Sequence, residues 1–102
     1  MATRVQDNQD LDRYEVFEGD ELAGFSEYKR SDGSISLRHT EVDDRFEGRG
    51  LGSALARGVL DAARDDGLGV LPHCPFMAAY IREHPDEYLE LVPADQRSRF
   101  GL

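Results

Sequence analysis

The chain is short of several things, and each shortage excludes something. One cysteine, Cys74, stands in 102 residues, which rules out an internal disulfide and a cysteine-based zinc cluster. No apolar run approaches the roughly 18 residues of a membrane-spanning helix, and Met1-Ala2-Thr3-Arg4 does not open a signal peptide. Positive charge is scarce: 12 Lys and Arg against 21 Asp and Glu leave a net charge of −9, and Lys29 is the single lysine. A surface of that sign argues against non-specific binding to nucleic acid or anionic membranes. The three histidines and their neighbouring carboxylates lack a metal-ligand spacing. There is no internal repeat and no low-complexity tract. What remains is one soluble, cytoplasmic domain over residues 1–102, a monomer or weak dimer. Its 39% hydrophobic residues, with five Phe and four Tyr, suffice for a single modest core.

Alternation of apolar and polar residues predicts three strands at the start, over residues 12–18, 21–30 and 35–42. Gly19-Asp20 and the stronger Asp32-Gly33 are the turns of an antiparallel meander. On the third strand, strict alternation puts Ile35, Leu37, His39 and Glu41 on one side. Leu51, Leu55, Val59 and Ala62 recur at helical steps, so a helix is predicted over residues 51–66, closed by Gly67. Gly58 interrupts it at a cost of roughly 1 kcal/mol against alanine, which marks a place where the helix packs closely. Residues 68–71 read as a short buried strand, parallel to the third because a helical crossover joins them. A second helix is predicted over residues 76–83, with Phe76, Ala79, Tyr80 and Glu83 sharing a face, and His84-Pro85 ends it. Residues 86–92 read as a short helix or a final strand. Residues 1–10 and 94–102 are polar and aperiodic and are expected to be flexible tails, although Phe100 and Leu102 are able to dock.

Between the third strand and the long helix lies Glu47-Gly48-Arg49-Gly50-Leu51-Gly52-Ser53. Glycines there turn bare backbone N–H groups outward, and a helix N-terminus adds orphan donors and the positive end of a dipole. Arg49 adds a full charge. That arrangement suits a phosphate or pyrophosphate; the plainer alternative is a simple turn. It is not a P-loop, since no Gly-Lys-Ser/Thr follows, and no βαβ unit supports a dinucleotide fingerprint.

The run Glu47-Gly48-Arg49-Gly50-Leu51-Gly52 resembles the acyl-CoA pyrophosphate loop of the GNAT N-acetyltransferase superfamily, Gln/Arg-x-x-Gly-x-Gly/Ala, with Glu47 where Gln or Arg is usual. His39-Thr40-Glu41-Val42, Leu71-Pro72-His73-Cys74-Pro75-Phe76 and Tyr80-Ile81-Arg82-Glu83-His84-Pro85 extend the likeness. Together they resemble the small single-domain GNAT-like group that carries a Cys after the fifth strand, and the likeness covers about residues 12–93. It implies an α/β fold: a mixed, mostly antiparallel sheet flanked by helices on both faces. It also implies acetyl-CoA as co-substrate, without metal, and an amine as acceptor. Arg49, Gly50, Leu51, Gly52 and Ser53 would meet the pyrophosphate, and backbone near Glu41 and Val42 the pantetheine and acetyl carbonyl.

Four side chains are candidates for chemistry. Cys74, between Pro72 and Pro75, is a nucleophile or an inert buried thiol. His39 and Glu41 are general bases, or a hydrogen-bonded core histidine and a solvated acid. Tyr80 resembles the tyrosine that protonates the departing CoA thiolate in many GNAT enzymes; otherwise it packs under its helix. The implied function is acetyl transfer from acetyl-CoA to an amine, directly or through Cys74. A CoA-binding module without turnover and a partner-binding domain are the alternatives.

Overall fold

The computed structural model describes residues 2–102. Five strands form one sheet in the order of the chain: β1 (Thr3–Asn8), β2 (Arg13–Glu18), β3 (Glu21–Ser31), β4 (Ser34–Val42) and β5 (Gly69–Pro72). The first four pair antiparallel, and β5 runs parallel to β4. Helix α1 (Leu51–Asp65) makes the crossover between them; α2 (Pro75–Glu83) and the short α3 (Pro85–Tyr88) follow β5. The mixed, mostly antiparallel α/β sheet is therefore the one expected. The Asp32-Gly33 turn carries Gly33 at φ +73°, and Gly67 closes the long helix at φ +68°.

The core forms between the sheet and the helices. Val16, Tyr28, Ile35, Leu37 and Val70 meet Leu55, Val59, Leu60, Met77 and Ile81, all buried. Burying each such aliphatic side chain is worth about 1.5–3 kcal/mol.

Four expectations are corrected. Residues 1–10 were expected to fray, yet Thr3–Asn8 pairs with β2 over six residues, Thr3↔Glu18 through Asn8↔Arg13. An edge strand covered on one face needs few apolar residues, and here Val5 alone packs against the core. Its other anchors are polar: Asp7 accepts from the Tyr28 hydroxyl at 2.6 Å, and Arg4 lies 4.5 Å over the Phe17 ring. Residues 94–102 were expected to be loose; they form a 3-10 helix, Ala94–Phe100, that docks. Arg82 donates to the carbonyls of Phe100 and Gly101, and the Phe100 ring meets His73 edge-on at 5.0 Å.

The third correction bears on the site. Tyr28 opposes Leu37 while Glu27 opposes His39, so Arg38 is an extra residue, a β-bulge. One inserted residue reverses every later side chain. Ile35 and Leu37 face the core, but Thr40 and Val42 take over that face, and His39 and Glu41 turn to the opposite one.

Fourth, helices were expected on both faces, and they lie side by side on one. Arg57 of α1 donates to the Tyr80 hydroxyl of α2 at 3.3 Å, and Asp61 of α1 accepts from Tyr88 of α3 at 3.0 Å. Only Gly19 and Asp20 join β2 to β3, so no segment there supplies a helix for the other face. Residues 86–92 complete α3 and a 3-10 turn, Leu89–Leu91, and form no strand. Among the described residues no helix is long and apolar enough to cross a membrane.

Candidate functional site

After β4 the chain makes a 3-10 turn, Asp44–Phe46. Asp43 caps it by accepting from the Arg45 backbone N–H at 2.9 Å, and that bond holds its carboxyl below the usual range. Phe46 is buried and anchors the turn. Gly48 and Gly50 then take φ +81° and +74°, a conformation that costs a residue with a Cβ roughly 1–2 kcal/mol. A Cβ at either position would meet nothing within 4 Å, so the backbone and not crowding demands glycine.

Gly50 is the N-cap of α1, and no side chain caps the helix; no acid lies in its first turn. The first-turn N–H groups of Leu51, Gly52 and Ser53 thus stay available to an anion. Leu51 contributes backbone only, because its side chain is buried in the core.

Beside this turn the sheet opens. Pairing of β4 with β5 ends at Leu37↔Pro72, and the Cys74 N–H makes a last bond to the Leu37 carbonyl at 2.9 Å. Among the described residues no strand pairs with residues 38–42 of β4 on that side. The Asp43 N–H points to β3, where it meets the Ala23 carbonyl at 2.7 Å, so alternation turns the Val42 and Thr40 N–H groups toward the open edge. Val42 and Phe76 flank the start of α1: a Cβ on Gly52 would lie 3.1 Å from the Phe76 ring and 3.8 Å from a Val42 methyl.

Gly50, Gly52 and Ser53 form one wall of a cleft of about 420 Å³; Phe76, Ala79, Tyr80 and Glu83 form the other. The face that helical spacing assigned to α2 is this wall. Phe76 is 40% exposed there, unusual for a large apolar residue with so many buried neighbours. The Tyr80 hydroxyl accepts from Arg57, and this bond keeps the guanidinium above its ordinary value. The Tyr80 ring stacks on His84 with centroids 4.2 Å apart.

Cys74 is the N-cap of α2 and only 4% exposed. Its thiol donates to Thr40 Oγ1 at 3.3 Å, and that hydroxyl lies 3.1 Å from Ser26 Oγ. Thr40 reaches Cys74 only because of the bulge at Arg38. No imidazole touches the thiol: His73 packs on Phe100, and His39 is across the sheet. His39 Nε2 and Glu41 Oε1 form their own pair at 2.9 Å, both exposed, on the helix-free face. Arg49 does not point into the cleft. It makes two 3.2 Å contacts with the Glu18 carboxylate and lies over the Phe46 ring.

The structure therefore brings Gly50, Gly52, Ser53 and Tyr80 together, with Val42 alongside. It sets Cys74 at the end of the open edge and His39 with Glu41 on the far side of that edge. Sequence reasoning gave no role to Thr40, Ser26 and Glu18, and counted Arg57 only with Arg45 and Arg49 as positive charge near the glycine loop. Thr40 was hidden by the bulge.

A glycine turn with free amides thus lies beside a split between two parallel strands. The chain belongs to the GCN5-related N-acetyl-transferase family, whose model matches residues 13–91. Similar proteins include Protein NATD1 of Homo sapiens, 37% identical over 57 residues, 55% of this chain and 50% of the human protein. Protein NATD1 of Xenopus tropicalis is 36% identical over 58 residues, 56% of this chain and 53% of the frog protein. The matched stretch thus spans about half the length of these relatives. Strand β1 and the C-terminal 3-10 helix lie outside the segment matched by the family model.

Proposed function

We propose that the protein is an acetyl-CoA-dependent N-acetyltransferase that moves the acetyl group directly to an amine. The observation that carries this is the meeting of the uncapped α1 N-terminus with the unpaired edge of β4. The free amides suit a pyrophosphate, and the strand edge suits the amide groups of a pantetheine arm, which pair with it as another strand would. Acetyl-CoA supplies an activated acyl group as a thioester.

The chain's own groups take the remaining roles. Thr40 and Val42 N–H groups at the open edge are aimed where a carbonyl oxygen gains charge. On the helix-free face, Glu41 orients His39, and His39 takes a proton from the attacking amine. As the carbonyl–sulfur bond breaks, Tyr80 protonates the departing thiolate. Its oxygen accepts from Arg57, which leaves its own proton to donate. The Cys74 thiol is buried and engaged with Thr40 Oγ1, with no base beside it, which favours direct transfer over an acyl-cysteine.

Isothermal titration with acetyl-CoA, followed by thiol release with a panel of amines, tests the reading. Binding with amine-dependent thiol release supports it. Binding without release leaves a CoA-binding module. No binding leaves a partner-binding domain and overturns the proposal.

A further inference from the structure

Glu15 and Ser26 are buried although polar. Glu15 is matched by Arg13 at 2.8 Å and Asn8 at 3.2 Å. Ser26 sits on β3 with no exposed surface, directly across from Thr40 on β4. Among the described residues its hydroxyl has one partner, Thr40 Oγ1 at 3.1 Å. A buried hydroxyl proton needs an acceptor, so the Ser26 proton goes to that oxygen. The Cys74 thiol donates to the same oxygen from across the split, at 3.3 Å. A threonine oxygen offers two lone pairs and one proton of its own. With both lone pairs taken, the Thr40 proton points away from Ser26 and from Cys74. The side left to it is the open edge, since β4 pairs with β5 only as far as Leu37↔Pro72. Thr40 itself is half-buried, so that side is reachable.

We propose that the Thr40 hydroxyl is a catalytic donor to the carbonyl oxygen of the transferred acyl group, with Ser26 and Cys74 as the positioning residues that aim its proton. This rests on the acyl-transfer reading above. Oγ1 is three bonds from the threonine's own backbone nitrogen, so the N–H and O–H of Thr40 converge on one oxygen at the open edge. As the amine attacks, the carbonyl π electrons move onto that oxygen, and they return when the carbonyl–sulfur bond breaks. Thr40 keeps its proton throughout. A donor fixed in place before the charge develops needs no reorganisation when it does, and a buried serine fixes it better than solvent would. The bulge at Arg38 is what puts Thr40 opposite Ser26 with its hydroxyl on the Cys74 side.

The test measures kcat and KM for acetyl-CoA, with the fastest amine of the panel above, in wild type, Thr40→Val, Thr40→Ser and the double variant Ser26→Ala with Thr40→Val. Each is first shown folded by its thermal melt. Thr40→Val has the shape of threonine but strands the Ser26 hydroxyl; the double variant removes both partners and so restores stability without restoring the donor. Thr40→Val and the double variant should each lose about a hundredfold in kcat, as loss of one oxyanion donor predicts, with KM for acetyl-CoA within about twofold. Thr40→Ser should keep most of the rate. A kcat within about threefold of wild type in folded Thr40→Val would overturn the assignment. So would a raised KM at unchanged kcat, a rate regained in the double variant, or an equal loss in Thr40→Ser. These results would leave the acyl-CoA reading intact. A wild type that binds acetyl-CoA but releases no thiol with any amine would overturn the transferase reading itself, and this inference with it.

Discussion

Gly58 offers a perturbation whose sign depends on tertiary structure. In an isolated helix, Gly58→Ala should stabilise by about 1 kcal/mol. Here a Cβ at Gly58 would lie 2.8 Å from Val5 Cγ1, 2.9 Å from its Cβ and 3.1 Å from its Cγ2. Carbon atoms rest at about 3.5–4.0 Å, so α1 and β1 must separate by roughly 1 Å. Val5 cannot swing aside: it is β-branched, and its Cβ moves only with the backbone. That backbone is paired with β2 along its whole length. Overpacking of this kind costs about 1–3 kcal/mol; less the propensity gain, a net loss of about 1 kcal/mol is expected. In a domain of this size that lowers Tm by about 4–8 °C. Urea unfolding of Gly58→Ala, Val5→Ala and the double variant measures it. Val5→Ala removes both γ-carbons, so in its background Gly58→Ala should cost about 0.5–1 kcal/mol less. A higher urea midpoint for Gly58→Ala in the wild-type background, or the same cost in both backgrounds, refutes the reasoning.

Gly50→Val should lose acetyl-CoA binding at least tenfold and about 1–2 kcal/mol of stability, since Gly50 sits at φ +74°; calorimetry and urea unfolding check the two together, and normal binding would remove the glycine turn from the site. Cys74→Ala should keep most of the acetyl-transfer rate and all of the CoA affinity, and the intact wild-type mass should show no acetyl adduct after incubation with acetyl-CoA; an adduct confined to the Cys74 peptide would replace direct transfer with a covalent route. Burial, and then the hydrogen bond to Asp61, push the Tyr88 phenol from 10.0 up to about 12. A raised group contributes its full stability below pH 10 and loses it as pH climbs toward 12, a loss on the order of a few kcal/mol at most. Tyr88→Phe should therefore lose less stability than wild type between pH 9 and 11.5, and equal slopes would contradict the role given to Tyr88.

Much of this protein is written locally. Three strands follow from two-residue alternation, α1 and α2 from helical spacing, and the turns from Asp32-Gly33 and Gly67, because these signals act between near neighbours in the chain. The glycine turn is local too: φ above zero at Gly48 and Gly50 is a property of the backbone there. So is the wall of the cleft, since Phe76, Ala79, Tyr80 and Glu83 share a face on any helix.

What the sequence could not show depends on pairing between distant segments. Strand β1 carries a single apolar anchor and gains its order from β2 and from α1 at Gly58. The bulge at Arg38 is invisible in the pattern of β4, yet it exchanges His39 for Thr40 on the core face, gives Cys74 a hydroxyl partner and sends His39 with Glu41 across the sheet. Sequence put a charge on Arg49 beside the turn; only the fold brought Glu18 to neutralise it and left Arg57 without an acid. Composition and spacing determine which elements form. Register and long-range ion pairs, which depend on where separate strands meet, decide which side chains face the site.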